Sequence, residues 1–295
     1  MVSAIAVLVF GVNAYTRIRQ RQLKLRNMIL EKRVEERTAE VVEQGKEIAH
    51  QKNRVEELLL NILPKNISDE LSRNGEAKAR LHPDVTVMFT DMKGFTQVAE
   101  KLTPEELVSE LHHHFSKFDD IADEYGLEKI KTIGDSYMVA CGIPTADPHH
   151  AIKVVLAALS IREMMHEWKQ ARESAGELAW SLRIGLHSGP VVAGVVGKRK
   201  FAYDIWGDTV NTASRMESSG EPEKLNVSGT TWKLVERYVI GEYRGKISAK
   251  NKGEVDMYFI HGLKPEYALT DRAFRPNGKL KEMLGLLQPD TADLA

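Results

Sequence analysis

The chain has 295 residues, 42% hydrophobic and 28% charged, with a formal net charge of −1, enough apolar content for one sizeable core plus an extension. The near-neutral balance, without a stripe of interleaved basic and aromatic residues, argues against a nucleic-acid partner. A single cysteine, Cys141, excludes an internal disulfide and a thiolate metal cluster, and it fits a reducing, cytosolic setting.

Val2 to Val12 is almost wholly apolar and is followed by Arg17, Arg19, Arg21, Lys24 and Arg26. A membrane span needs roughly 20 apolar residues, and a signal peptide carries its basic residues before the apolar core, not after it. Residues 1–16 are therefore expected to be the tail of a truncated transmembrane helix, with a short membrane anchor or an unusual signal-like start as alternatives. On the first reading the basic flank puts the rest of the chain on the cytoplasmic side, at the inner face of the membrane.

Residues 17–74 read as a signalling helix and linker. Val34, Val41, Ile48, Val55 and Ile62 recur every seven residues, the spacing of a coiled-coil seam. The companion seam position holds Thr38, Gly45, Lys52 and Leu59, three of them poor core residues, so the seam is weak. A parallel dimer is expected, and a single solvated helix is the alternative. Pro64 limits continuation of this helix, and Ile67 and Leu71 mark one further short one.

From Val85 to Thr90 the chain alternates and is β-branched, a strand ending at Asp91. A loop, Met92 to Lys101, leads to Thr103 and Glu106, a capping box with Pro104 at the first helical position. That helix carries Leu107, Leu111, Phe115, Phe118, Ala122 and Tyr125 on one face and stops at Gly126. Lys129–Ile133 and Ser136–Cys141 are strands joined by the tight turn Gly134-Asp135. A helix from Asp147-Pro148 to about Ala171 and two strands, Trp180–Leu186 and Val191–Val196, follow. Strand, helix, hairpin, helix, strand is the split βαβ order of a ferredoxin-like α+β fold, βαββαβ. Beyond it lie a strand at Tyr203–Trp206, a helix capped by Asp208 and stopped by Gly220, a strand at Leu225–Val227, a helix at Thr230–Arg237, and strands near Val239 and at Met257–Ile260. Residues 264–295 form a polar tail with a short helix around Leu280 to Leu287.

Asp91 at a strand end and Asp135 in a hairpin turn occupy places that a ferredoxin-like sheet brings close. Paired carboxylates without Cys or His ligands favour a hard cation such as Mg²⁺, which completes its shell with water and substrate phosphates. A helix-cap Asp and a turn Asp are the alternative, and the residues alone leave both open. Gly94 adds a backbone that can approach phosphate closely. Asn211 and Arg215, four residues apart, share one helix face, and a planar cation beside a carboxamide near a helix start suits an oxyanion. His112, His113 and His114 are consecutive and cannot all face one metal, so they read as solvated or partly buried. His149 and His150 read as surface residues, and His187 as structural.

Four stretches, FTDMKGF (Phe89–Phe95), KIKTIGDSYM (Lys129–Met138), LRIGLHSGPVVAGVVG (Leu182–Gly197) and YDIWGDTVNTASRM (Tyr203–Met216), together resemble the class III nucleotidyl cyclase catalytic domain. The resemblance runs over about Val85 to Leu263, within an expected catalytic domain at 80–263. It implies that Asp91 and Asp135 bind two Mg²⁺ or Mn²⁺ ions. It further implies that Asn211 and Arg215 position the ribose and stabilise the transition state, that Lys252 binds the terminal phosphates, and that Arg183 lies near the phosphates. Lys131 and Asp204 match the purine-selecting pair. Adenine offers an N6 donor and an N1 acceptor, which a carboxylate and an ammonium satisfy, whereas guanylyl-type members resemble Glu and Cys at these positions. The implied protein is thus an adenylyl cyclase acting on ATP, regulated through its N-terminal helix. A guanylyl cyclase and a catalytically silent nucleotide-binding dimerisation module are the alternatives. Because the family's site lies between two domains and one chain here carries both residue sets, a homodimer with two composite sites is implied.

Overall fold

The computed structural model describes residues 2–197, 201–249, 253–270 and 272–286, and the chain divides into two compact units between Ile62 and Leu63. The first is a single helix, α1 (Val2–Leu60, 59 residues). Pairs one turn apart support it, with Arg37 Nη1 donating to Glu40 Oε2 at 2.8 Å and Gln51 Nε2 to Glu47 Oε1 at 2.8 Å, each worth a few tenths of a kcal/mol, about 0.2–0.5. Val34, Val41, Ile48 and Val55, the seven-residue series, are all exposed in the single chain. The run Val2 to Val12 lies inside α1, and among the described residues no helix is long and apolar enough to cross a membrane.

The second unit contains, in order, α2 (Lys65–Asn74), β1 (Arg80–Lys93), α3 (Phe95–Ala99), α4 (Pro104–Tyr125), β2 (Glu128–Ile133), β3 (Ser136–Cys141), α5 (His150–Ser174), β4 (Ser181–Val196), β5 (Ala202–Trp206), α6 (Asp208–Ser218), β6 (Leu225–Ser228), α7 (Gly229–Val235), β7 (Val239–Ala249), β8 (Gly253–Leu263), β9 (Ala268–Leu269), β10 (Arg272–Pro276) and α8 (Gly278–Met283). The main sheet runs β2-β3-β1-β4-β6-β8-β7, with β5 paired to the far half of β4. Its first four strands, with α4 and α5 as crossovers, are the ferredoxin-like arrangement expected from the element order. α4 forms because Thr103 and Glu106 make the capping box and Pro104 pre-sets the first turn, and it ends at Gly126 with φ 69°. Alternation in β4 sends Leu182, Ile184 and Leu186 into a core shared with Leu156 and Leu159 of α5, and leaves Arg183, Gly185 and His187 on the opposite face.

Several elements differ from the sequence reading for identifiable reasons. β4 is one strand, not two, and runs through Pro190. The register of β1 shifts between His82 and Val85, so Pro83 and Asp84 bulge opposite Pro190 and no ladder bond is asked of its missing N–H. The loop after β1 contains the short helix α3. α6 is preceded by Gly207 (φ 141°) with no side-chain cap, and Asp208 already lies in its first turn. Gly220 does not end that helix by a left-handed turn; a Cβ there would lie 2.8 Å from the Glu217 carbonyl oxygen, so space is what it supplies. After Leu263 the ribbon β9–β10 and α8 return the chain to the core, where Leu280 and Leu284 are buried.

Two histidines are deeper than expected. His114 is fully buried, with its ring edge-on to Trp168 at 4.6 Å between centroids. His150 is buried, and its Nδ1 lies 2.7 Å from Thr86 Oγ1. From there hydroxyls continue through Ser188 (2.7 Å), Thr231 (3.0 Å) and Ser228 (3.1 Å) to Nδ1 of His187 (2.7 Å). This chain satisfies polar groups that would otherwise be costly inside the core.

Candidate active site

β1 and β4 are antiparallel neighbours, and their register sets Asp91 directly opposite Arg183. The two side chains meet, with Arg183 Nη2 donating to Asp91 Oδ2 at 2.5 Å. The β2–β3 turn brings in the second aspartate. Gly134 takes φ 64°, a left-handed conformation that closes the two-residue turn, and Asp135 Oδ2 accepts the backbone N–H of Met92 at 3.3 Å. Both carboxylates therefore lie at one end of β1. Burial, and then the charge of Asp91, hold the Asp135 carboxyl above the usual carboxylate range.

A third carboxylate, from α6, was absent from the sequence reading. Glu217 is 7% exposed, and its Oε1 is 2.9 Å from Arg183 Nε, although the N–H is not aligned for a hydrogen bond. Burial and the nearby Asp91 push its carboxyl up to about 7. The helix approaches so closely because β4 has glycine at 185, where a Cβ would fall 1.9 Å from the Glu217 nitrogen. One signal for Glu217 existed in the sequence: an acidic residue falls on the same helix face as Thr209, Thr212, Ala213 and Met216, all buried.

Asn211 and Arg215 sit on the other side of α6, Asn211 exposed and Arg215 half-buried. At about 100° per residue, Glu217 points roughly 140° away from their shared direction. Among the described residues no hydrogen bond or ion pair joins either of them to Asp91 or Asp135.

Lys131 on β2 and Asp204 on β5 form a separate pair, Nζ to Oδ2 at 2.5 Å, with 43% and 19% of their side chains exposed. An ion pair this open is worth only about 0–1 kcal/mol to the fold. It leaves an ammonium donor and a carboxylate acceptor side by side at the protein surface. Lys252 lies outside the described residues, between β7 and β8.

The acidic pair fits a hard divalent cation. Its donors are oxygens alone, and a cation would offset both the burial that chiefly raises Asp135 and the smaller repulsion from Asp91. Among the described residues no group of three or more His, Cys, Asp or Glu forms a cage, so water and phosphate oxygens would complete the shell, as Mg²⁺ commonly requires.

The adenylate and guanylate cyclase catalytic domain family matches residues 77–262. Human guanylyl cyclase C is 38% identical over 255 residues, which are 85% of this chain and 23% of that protein. An adenylate cyclase of Mycobacterium bovis is 40% identical over 214 residues, 72% of this chain and 47% of its own length. The chain thus spans under half the length of these curated relatives. The adenylyl cyclase CyaB of P. aeruginosa superposes with a TM-score of 0.61 at 27% identity, covering 65% of this chain and all of that one. The catalytic core of a rhodopsin-guanylyl cyclase with converted specificity, solved with ATPαS, gives a TM-score of 0.58 at 35% identity and covers 62% of this chain and 97% of that one.

Proposed function

We infer, since this chain belongs to the family of adenylate and guanylate cyclase catalytic domains, that it converts ATP to 3′,5′-cyclic AMP and pyrophosphate. The observation that carries ATP over GTP is the Lys131–Asp204 pair. Adenine presents an acceptor at N1 and a donor at N6, so the ammonium and the carboxylate each exchange their partner for a ring-edge group. Guanine reverses both and would leave two charged groups facing like partners.

In this reading the 3′-oxygen attacks the α-phosphorus, the new O–P bond forms as the bond to the β-phosphate oxygen breaks, and the hydroxyl proton passes to water. Asp91 and Asp135 hold Mg²⁺ or Mn²⁺, which when bound neutralises phosphate charge and favours the nucleophilic form of the 3′-oxygen. Asn211 orients the ribose, and Arg215 meets the charge that develops at the α-phosphate. Lys252 binds the terminal phosphates in this reading, and Arg183 lies near the phosphates.

Two features support a homodimer with composite sites. Asn211 and Arg215 lie on the opposite side of α6 from Glu217, the residue that reaches the Arg183–Asp91 pair of its own chain. Leu81, Val192 and Trp206 are register neighbours across β1, β4 and β5 and are 68%, 38% and 40% exposed, an apolar row suited to a second copy. The exposed series on α1 would find its partner in the same two-fold dimer. The basic flank after Val12 keeps the catalytic unit on the cytoplasmic side of a membrane.

A guanylyl cyclase is the second reading, favoured by the name of the human relative. Purified protein given ATP or GTP with Mg²⁺ or Mn²⁺, followed by identification of the cyclic product, separates the two. Cyclic AMP is expected. Cyclic GMP as the main species would establish the second reading, and no product from a folded dimer would remove the enzyme. Lys131→Glu with Asp204→Cys is expected to shift preference toward GTP.

A further inference from the structure

Arg183 stands among three carboxylates contributed by three elements: Asp91 on β1, Asp135 in the β2–β3 turn and Glu217 on α6. Its Nη2 is committed to Asp91, while its Nε lies 2.9 Å from Glu217 Oε1. Arg183 Nε and Glu217 Oε1 are both buried atoms without an aligned hydrogen-bond partner. Such atoms are expensive to leave unpaired, and each is the obvious partner of the other. The same guanidinium is held at Nη2 by Asp91.

We propose that Arg183 is a resident counter-ion that occupies Asp91 until a metal ion takes its place, and that Glu217 is the positioning residue that then receives the guanidinium. The proposal rests on the cyclase reading for the identity of the metal site. A divalent cation on Asp91 repels the guanidinium, whose planar fork is built to serve two carboxylates at once. Rotation off Asp91 turns the Nε–H onto Glu217 Oε1 and makes the 2.9 Å contact an aligned hydrogen bond. The freed Nη edge is then available to phosphate oxygens. Glu217 cannot retreat, because its backbone is seated against β4 at Gly185. Metal binding and the turning of an arginine toward substrate become one event.

The test is Mn²⁺ binding to the nucleotide-free full chain, read from the electron paramagnetic resonance signal of free Mn²⁺. Asp91→Asn identifies the binding that belongs to this site. Arg183→Gln removes the competitor and should tighten Mn²⁺ about tenfold, and Glu217→Gln removes the receiving carboxylate and should weaken it about fivefold, the scale of a charge within a few ångströms. Because Glu217 acts through Arg183, adding Glu217→Gln to Arg183→Gln should change affinity less than about twofold. Additive effects would mean that each charge acts on the metal independently, and the proposal would fall. If Arg183→Gln does not fold, Arg183→Lys keeps a cation that cannot span two carboxylates and should still tighten Mn²⁺; unchanged affinity overturns the proposal. The titration requires no turnover, so a chain that binds Mn²⁺ in this pattern but makes no cyclic nucleotide would refute the cyclase reading and not the exchange.

Discussion

At the scale of single residues, His114 shows what an uncharged ring in a core implies. Both its nitrogens are buried without hydrogen-bond partners, and the nearest carboxylate oxygen, from Glu110, is 3.8 Å away. Burial first, then the positive neighbours His113, Lys117 and Arg172, push its pKa from 6.5 down to about 4. The unfolded chain therefore takes up this proton before the folded one does. The stability it leaves to the native state is complete above about pH 6.5 and is lost progressively as pH falls toward 4. His114→Phe keeps an aromatic ring beside Trp168 and removes both unpaired nitrogens. Unfolding by urea should show the variant at least as stable at pH 7, and losing about 3 kcal/mol less than the parent between pH 6.5 and 4. Parallel pH slopes for the two proteins would contradict a neutral buried His114.

At the scale of elements, α6 is the part on which the chemistry divides. On the proposed reading, one side of it, with Glu217, reaches the Arg183–Asp91 pair that would hold metal in its own chain, and the opposite side carries Asn211 and Arg215. A site needing both sets is then shared between chains. Asp91→Ala and Arg215→Ala proteins, each inactive alone, should regain up to about a quarter of the parent activity when mixed, since one dimer in two is mixed and carries one intact site of two. If the mixture stays inactive while chain exchange is demonstrated, the helix serves its own aspartates. The helix itself was legible, because its amphipathic spacing is local. Glu217's place on the buried face was legible too, but its meaning was not, since that depends on Gly185, a residue on another strand whose missing side chain lets the helix in.

The same division holds for the whole molecule. The capping box of α4, the Gly134-Asp135 turn and the strand–helix order depend on residues next to one another, and they were readable. The continuity of β4 through Pro190 depends on a bulge in β1, and the burial of Leu280 and Leu284 depends on the surface they return to. Neither leaves a trace in its own stretch of sequence. The path from His150 to His187 is of this distant kind, crossing α5, β1, β4, α7 and β6, and it carries an arithmetic constraint. There are five links, His150–Thr86, Thr86–Ser188, Ser188–Thr231, Thr231–Ser228 and Ser228–His187, and each needs one hydrogen. The four hydroxyls supply four at most, so at least one imidazole must bring a hydrogen on Nδ1. The two rings cannot both be bare at Nδ1, which nitrogen-15 couplings of the histidine side chains would display directly; two bare Nδ1 atoms would mean a broken link. The row of hydroxyls thus ties hydrogen placement at one ring to the other: if one Nδ1 is bare, the other must carry the hydrogen.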